Sequence, residues 1–198
     1  MEAAATLFAR KGYNDSTIPQ IAAFANVSPS TVYVYFRSKL EILFLIYDPW
    51  LRAKLEALER DVASLHDPRD QLRLTVSTIW RDLPAAENGF ASNLMQALSS
   101  ATLDSGYDPG LLHWAENCLA GILMRVLPPS AMPRSRALML AHVMMMSFDG
   151  FALNARTNPA SSCSDALVDG FVELLIGPAM QAPEAQRPFA RRQSTQPA

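Results

Sequence analysis

The sequence predicts an all-α fold, on three observations. Apolar residues recur at the i, i+3, i+4 spacing of a helix nearly throughout the chain. No stretch alternates apolar and polar residues with period two for long enough to make a strand. Proline and glycine fall mostly between the periodic segments, where they act as punctuation.

The elements follow in order. A first helix spans Met1 to about Arg10 and ends at Lys11-Gly12, with Lys suited to the negative helix end and Gly to the residue beyond it. Two short helices follow, Ile18–Ala25 and Pro29–Phe36. A longer segment starts after Ser38 and meets Asp48-Pro49, where the ring is expected to kink or end it. Helix resumes over Trp50–Leu65 and stops at His66-Asp67-Pro68. The later segments are Arg69–Leu83, Ala85–Leu103, Pro109–Leu127, Arg134–Arg156 and Ser164–Met180. The tail from Pro183 is polar, contains proline and Arg191-Arg192, and reads as disordered. The expected organisation is a head over 1–47, a larger helical domain over 48–182 and a tail over 183–198.

Composition narrows the class. Of 198 residues 49% are hydrophobic and 18% charged, with a formal net charge of −2, which argues against a disordered or acidic-tail protein. The longest apolar stretch, Ala137 to Phe148, is broken by His142 and is too short to span a bilayer. No basic-then-apolar leader opens the chain, and two cysteines, Cys118 and Cys163, suit a reducing compartment. The expectation is a soluble cytoplasmic protein without a membrane partner.

The most informative stretch is 17–36. Thr17-Ile18-Pro19-Gln20 reads as a capping box, followed by Ile18, Ile21, Ala22 and Ala25 on one face. The chain turns at Asn26-Val27, and asparagine is the best non-glycine choice for a positive φ. Ser28 caps the next helix with Pro29 at its first position, where the missing N–H costs nothing. Val32 and Phe36 point inward together, which leaves Ser30, Thr31, Tyr33, Val34 and Tyr35 around the rest of the helix. Ser38-Lys39-Leu40-Glu41 is a second capping box. Two short helices, a tight turn and a polar, aromatic-rich second helix make a helix-turn-helix of the kind that docks in a major groove.

From Ala4 to Phe44 the chain resembles the N-terminal domain of the tetracycline-repressor (TetR) family of bacterial transcription regulators. The resemblance rests on Leu7-Phe8, Gly12-Tyr13, Thr17, Ile21-Ala22, Val27-Ser28, Thr31-Val32-Tyr33, Tyr35-Phe36 and Ser38-Lys39 in fixed register. It implies that Thr17, Tyr35 and Lys39 hold phosphates, and that Ser28, Pro29, Ser30, Thr31, Tyr33 and Val34 face or flank base edges. No Arg, Asn or Gln occurs in the second helix of the pair, so Arg37 and Gln20 are the nearest groups for a bidentate purine contact. Modest base discrimination and more dependence on DNA shape are expected. The family usually has glycine at the position of Asn26, and its first helix is usually longer at its start and preceded by a basic arm. Arg10, Lys11, Arg37 and Lys39 against Glu2, Asp15 and Glu41 leave residues 1–47 a net charge of only +1.

For the larger domain the resemblance implies a ligand pocket among the middle helices and a homodimer built from the last two long helices, reading a palindromic operator in double-stranded DNA. Trp80, Trp114 and Met145 are candidate pocket walls, and Asn93, Gln96, His113 and Asn117 candidate polar anchors for an unidentified small-molecule effector. Leu138, Ala141, Met145, Phe148, Ala152 and Ala155, with Leu167, Phe171, Leu174 and Leu175, form the expected pairing stripes, and Gly150 and Gly170 would let helix axes approach closely. Asp48-Pro49 is the expected hinge between effector and head.

Catalysis and metal binding find no support in the sequence. His66, His113 and His142 lie far apart in it with no carboxylate at ligand spacing, and no CxxC, GxSxG, Walker loop, GxGxxG or HExxH occurs. No cofactor, metal or catalytic residue is expected. The reading is a ligand-relieved repressor; the alternative is a helical interaction protein with a degenerate DNA-binding head.

Overall fold

The computed structural model describes residues 1–101, 108–158 and 163–180 of the chain. The expected tail over 183–198 lies outside the described residues. Nine α-helices account for the secondary structure there: α1 (Glu2–Lys11), α2 (Ile18–Phe24), α3 (Pro29–Tyr35), α4 (Lys39–Ser64), α5 (Pro68–Ser77), α6 (Phe90–Ser100), α7 (Gly110–Val126), α8 (Arg134–Thr157) and α9 (Asp165–Met180), with a π-helical turn Thr78–Asp82 continuing α5.

Helices α1 to α3 close around Leu7, Phe8, Tyr13, Ile21, Ala22 and Val32, which are buried against Leu40 and Leu43 at the start of α4. Ala25, expected on this inner face, is instead the exposed C-cap of α2. The remaining helices pack around α4, α5 and α7, with α8 laid along α7 and α9 along α5. One continuous apolar core runs through both groups. Helix α9 is also held by ions: Arg69 pairs with Glu173, Arg73 with Asp169 at 2.7 Å, and Arg81 with Asp165 at 2.9 Å. The Arg81 guanidinium, donating to Asp165, holds that carboxyl below the usual carboxylate range.

Three expectations about the elements are corrected. At Pro49, where a kink or an end is expected, α4 does not end but runs for 26 residues through it. The ring forfeits a hydrogen bond to the carbonyl of Leu45, but Leu43, Tyr47, Leu51, Leu55 and Leu58 are buried on either side of it. That buried stripe outweighs one lost bond, since fully burying a leucine is worth about 1.5–3 kcal/mol. Next, α5 does not continue as α-helix to Leu83: the Leu83 N–H donates to the carbonyl of Thr78, five residues back, at 2.9 Å. In this turn Ile79 and Trp80 are buried, and Leu83 directly after it is buried too. Finally, α6 begins at Phe90 rather than Ala85. Gly89 before it has φ +74°, and Asn88 accepts the Phe90 N–H at 3.0 Å, so this turn stops regular helix from forming upstream.

Helix α8 departs from the membrane expectation in one respect. Its segment Arg134–Ala155, 22 residues at mean hydropathy 1.3, is long and apolar enough by length and composition to cross a bilayer, although the shorter run Ala137–Phe148 is not. In this fold it packs as one long helix on α7, and only 28% of its most apolar window is buried. Much of an apolar helix is therefore left open along one side.

Candidate nucleic-acid interface

The head is organised by hydrogen bonds within a few residues of each other. Thr17 Oγ1 accepts the Gln20 N–H at 3.3 Å, and Gln20 Oε1 accepts the Thr17 N–H at 3.1 Å, closing the expected capping box at the start of α2. Asn26 has φ +56° and is the single described non-glycine residue with positive φ, as the turn requires. Ser28 Oγ then accepts the Thr31 N–H at 3.1 Å with Pro29 at the first position of α3. Ser38 caps α4 by accepting the Glu41 N–H at 3.1 Å. The reciprocal arm of that box shifts by one residue: the Glu41 carboxylate takes the N–H of Arg37, not of Ser38.

These caps hold α3 with Val32 inward and the opposite side open. Val34 is 78% exposed, Tyr35 74% and Tyr33 59%. At 100° per residue Val34 and Ser30 lie directly across the helix from Val32, so they form its outermost ridge, with Thr31 and Tyr33 on the flanks. The hydroxyls on this surface are linked to each other. Ser28 Oγ lies 2.7 Å from Ser30 Oγ and 2.8 Å from Thr31 Oγ1. The outer face of α3 is thus apolar and phenolic, with a cluster of hydroxyls at its N-terminal end.

The residues implied as phosphate contacts differ in how they are held. Thr17 is exposed at the start of α2, with its hydroxyl serving as the cap. Tyr35 is exposed beside Phe36. Lys39 is half-buried: Nζ donates to the carbonyls of Tyr13 at 2.7 Å and Ser16 at 2.8 Å, and sits 4.0 Å from the centre of the Tyr13 ring. Burial pulls its pKa below the usual lysine value, with Asp15 acting in the opposite direction. Lys39 therefore ties the α1–α2 turn to α4, a role the motif did not disclose. Arg37 is exposed just before α4, and Gln20 has its amide oxygen committed to the cap.

The seven effector candidates are not brought together. Asn93, 2% exposed, donates through Nδ2 to Tyr47 Oη at 2.9 Å, and its Oδ1 is buried with no hydrogen-bond partner. Gln96 points at the head instead: its Oε1 accepts the Asn14 N–H at 3.0 Å, and its amide lies against Gly12, where a Cβ would come within 2.8 Å of it. His113 and Asn117 are exposed on α7, with Asn117 receiving a hydrogen bond from Arg134 at 3.3 Å. Trp114 is stacked under Arg52 at 4.3 Å. Trp80 is core, its indole N–H donating to the Met144 carbonyl at 3.1 Å and its ring 4.5 Å from that of Phe171. Met145 packs, partly buried, on the core. Of the four polar candidates, Asn93, Gln96 and Asn117 are engaged with groups outside their own helices. An open groove of 440 Å³ does lie between α4 and the π-helical turn, with Trp50, Leu58, Leu74, Thr78 and Asp82 on its walls. The Trp50 ring packs tilted against that of Phe90, the first residue of α6, with centroids 4.8 Å apart.

On α8 the pairing stripe is corrected. Ala141, Phe148 and Ala152 are buried within the chain, and Leu138 and Met145 pack on its core. The face left open carries Met139, Val143, Met146, Gly150 and Leu153, on the same 4, 3, 4, 3 spacing. On α9, Leu175 turns inward while Leu167 and Leu174 are exposed, Leu174 by 71%. A groove of 660 Å³ runs between the two helices, floored by Phe151 and Phe171 and flanked by Gly150 and Gly170. A Cβ at either glycine would meet nothing within 4 Å, so neither is needed for packing inside the chain. Cys163 is buried and Cys118 partly so, both as free thiols, and among the described residues no group of His, Cys, Asp and Glu is arranged to hold a metal.

Comparison with known proteins agrees with this geometry. Residues 1–46 match the profile of the family described as bacterial regulatory proteins, tetR family. The fatty acid metabolism regulator protein of Bacillus subtilis (strain 168) is 30% identical over 77 residues, covering 39% of this chain and 40% of its own length. The HTH-type transcriptional regulator RutR of Escherichia coli (strain K12) is 34% identical over 107 residues, covering 52% and 48%. The chain thus spans less than half the length of these curated relatives. Among solved structures, the fatty acid degradation regulator FadR of Bacillus halodurans superposes with a TM-score of 0.65 at 20% identity, over 89% of this chain and 95% of that one. FadR of Bacillus subtilis, solved in complex with stearoyl-CoA, gives 0.63 at 22%, over 89% and 96%. The chain is thus similar over residues 1–46 to the tetR family of bacterial regulatory proteins, and over 89% of its length it has the fold of the Bacillus halodurans FadR.

Proposed function

We propose that the protein is a dimeric, sequence-specific DNA-binding repressor, released from a palindromic operator by a small, largely apolar effector. The observation that carries this is the outer face of α3: a capped helix that buries Val32 and offers Tyr33, Val34 and Tyr35 to the outside has no structural reason to expose them. Inserted in a major groove, that face meets base edges while Thr17, Tyr35, Arg37 and Lys39 approach phosphates. Residues 1–47 act as the reading head and 48–182 as the effector and pairing domain, in the cytoplasm with the DNA. No residue is assigned a catalytic role.

Pairing is assigned to the open face of α8 and α9, where a second copy would cover Val143, Met146, Leu153 and Leu174 and use Gly150 and Gly170 for close approach. A twofold dimer suits a palindrome, because each head then meets the same half-site. The effector is assigned to the groove beside Trp50. Displacing Trp50 would move Phe90 and α6, and α6 holds the head through Gln96 and α4 through Asn93. The stearoyl-CoA complex of the Bacillus subtilis FadR supports an effector with a long apolar part. Pro49 lies between Tyr47 and Trp50, where α4 lacks one hydrogen bond and can flex at least cost.

Selection from random-sequence duplexes tests the reading, with Tyr33→Ala/Tyr35→Ala as control, both side chains being exposed. Enrichment of a palindrome by the wild type and not by the control is the expected result. Failure to enrich any sequence, with binding that does not change with salt, would support the interaction-protein reading instead. Stearate, the apolar part of stearoyl-CoA, added to the selected complex is then expected to release the DNA.

A further inference from the structure

Base reading by α3 must work without the usual chemistry. From Pro29 to Tyr35 the helix has no Arg, Lys, Asn, Gln, Asp or Glu, so it offers no bidentate donor to guanine or adenine and no carboxylate to cytosine. Its small hydroxyls are engaged with one another, Ser28 with both Ser30 and Thr31. Its most exposed hydrophobic side chain is Val34, 78% exposed and on the side away from the buried Val32. An isopropyl group has one favourable partner on a base edge in the major groove, the C5-methyl of thymine.

We propose that Val34 is a specificity-determining residue that reads a thymine methyl group in each half-site of the operator. The inference rests on the DNA-reading function proposed above and adds to it the chemical feature being read. It predicts that discrimination comes from apolar surface removed from water and not from a hydrogen-bond pattern. Cytosine lacks the methyl and is rejected by that loss alone. A β-branched valine on a helix is nearly fixed in one rotamer, so little side-chain entropy is lost on contact. Tyr33, on the flank of the same ridge, closes one side of the contact against water.

The test uses the intact protein and the operator obtained by selection. Each thymine of a half-site is replaced in turn by uracil, which deletes the methyl and leaves every hydrogen-bonding group in place. Burial of one methyl-sized group is worth about 0.8 kcal/mol, so one uracil position is expected to weaken wild-type binding about fourfold, and about fifteenfold when both half-sites carry it. Val34→Ala, whose fold is checked by its thermal midpoint, is expected to bind thymine and uracil duplexes about equally at that position. Val34→Asn provides a second arm, expected to move the preference there toward adenine. The proposal is overturned if no uracil substitution weakens wild-type binding, or if the loss persists unchanged in Val34→Ala. Either result leaves DNA reading itself intact. A wild-type protein that selects no duplex overturns the DNA-reading function and this inference together.

Discussion

The outer face of α3 and the open face of α8 and α9 both expose apolar side chains to solvent, and they differ in what surrounds them. On α3 the exposed group is small, on a seven-residue helix, and stands beside hydroxyls and among helix starts. On α8 and α9 it is a long strip on helices of 24 and 16 residues, with glycines at its edge. A short apolar ridge framed by hydroxyls and cations suits a polyanion whose bases must be touched. A long stripe of Met, Val and Leu with room for another backbone suits a second protein surface of the same character. Exposed hydrophobicity alone therefore does not identify a partner; the polar frame around it does.

The largest effect that tests this contrast is on the long strip. Leu153→Arg/Leu174→Arg places a cation on each helix of the proposed seam, and the expected outcome is a monomer by sedimentation and loss of palindrome binding by more than about a hundredfold, since each buried leucine is worth about 1.5–3 kcal/mol and the twofold counts it twice. A dimer that survives both substitutions would break the contrast. Salt sharpens it further: DNA binding should weaken steeply with ionic strength, whereas pairing through α8 and α9 should not.

Lys39 comes next. Lys39→Met removes the ammonium bound to the Tyr13 and Ser16 carbonyls, and a loss of about 1.5–3 kcal/mol in unfolding free energy is expected, for a charged hydrogen-bonding group half out of water. A variant that loses DNA affinity at unchanged stability would show Lys39 to be only a phosphate contact. Gln96→Leu follows, expected to cost about 1 kcal/mol by breaking the bond to the Asn14 N–H. It should leave operator affinity nearly intact while blunting release by effector. Acidification loosens one tie of α9. The lowered pKa of Asp165 means its ion pair with Arg81 contributes stability above the ordinary carboxylate pKa and loses it as pH falls through the lowered one; Asp165→Asn should abolish that part of the acid transition. The smallest effect is expected at Asn26→Gly, a change within about 0.5 kcal/mol in thermal unfolding, because glycine suits the same left-handed φ at a small entropic cost.

How much was legible in the sequence varied along the chain. Thr17, Ser28 and Ser38 each cap a helix start by accepting an N–H three residues on, so the side-chain type and its spacing carry the information. Asn26 likewise reports a backbone angle by its identity. The continuity of α4 through Pro49 was not legible in this way, since the proline argues locally for a kink or a break and only the burial of Tyr47, Leu51 and Leu55 overrides it. Gln96 showed nothing in sequence to distinguish it from Asn117. One ties α6 to the head and the other lies exposed on α7, and that distinction depends on residues 82 positions apart meeting.

The sequence by itself determined the helical class, the caps and turn of the head, and the outward composition of α3, because each depends on hydrogen bonds or periodicity within one or two turns. Only the tertiary structure decided which stripe of α8 is core. Ala141, Phe148 and Ala152 follow the same helical period as Val143, Met146 and Leu153, and periodicity cannot rank two apolar faces of one helix. The packing of α7 against one of them does, and it leaves the other open.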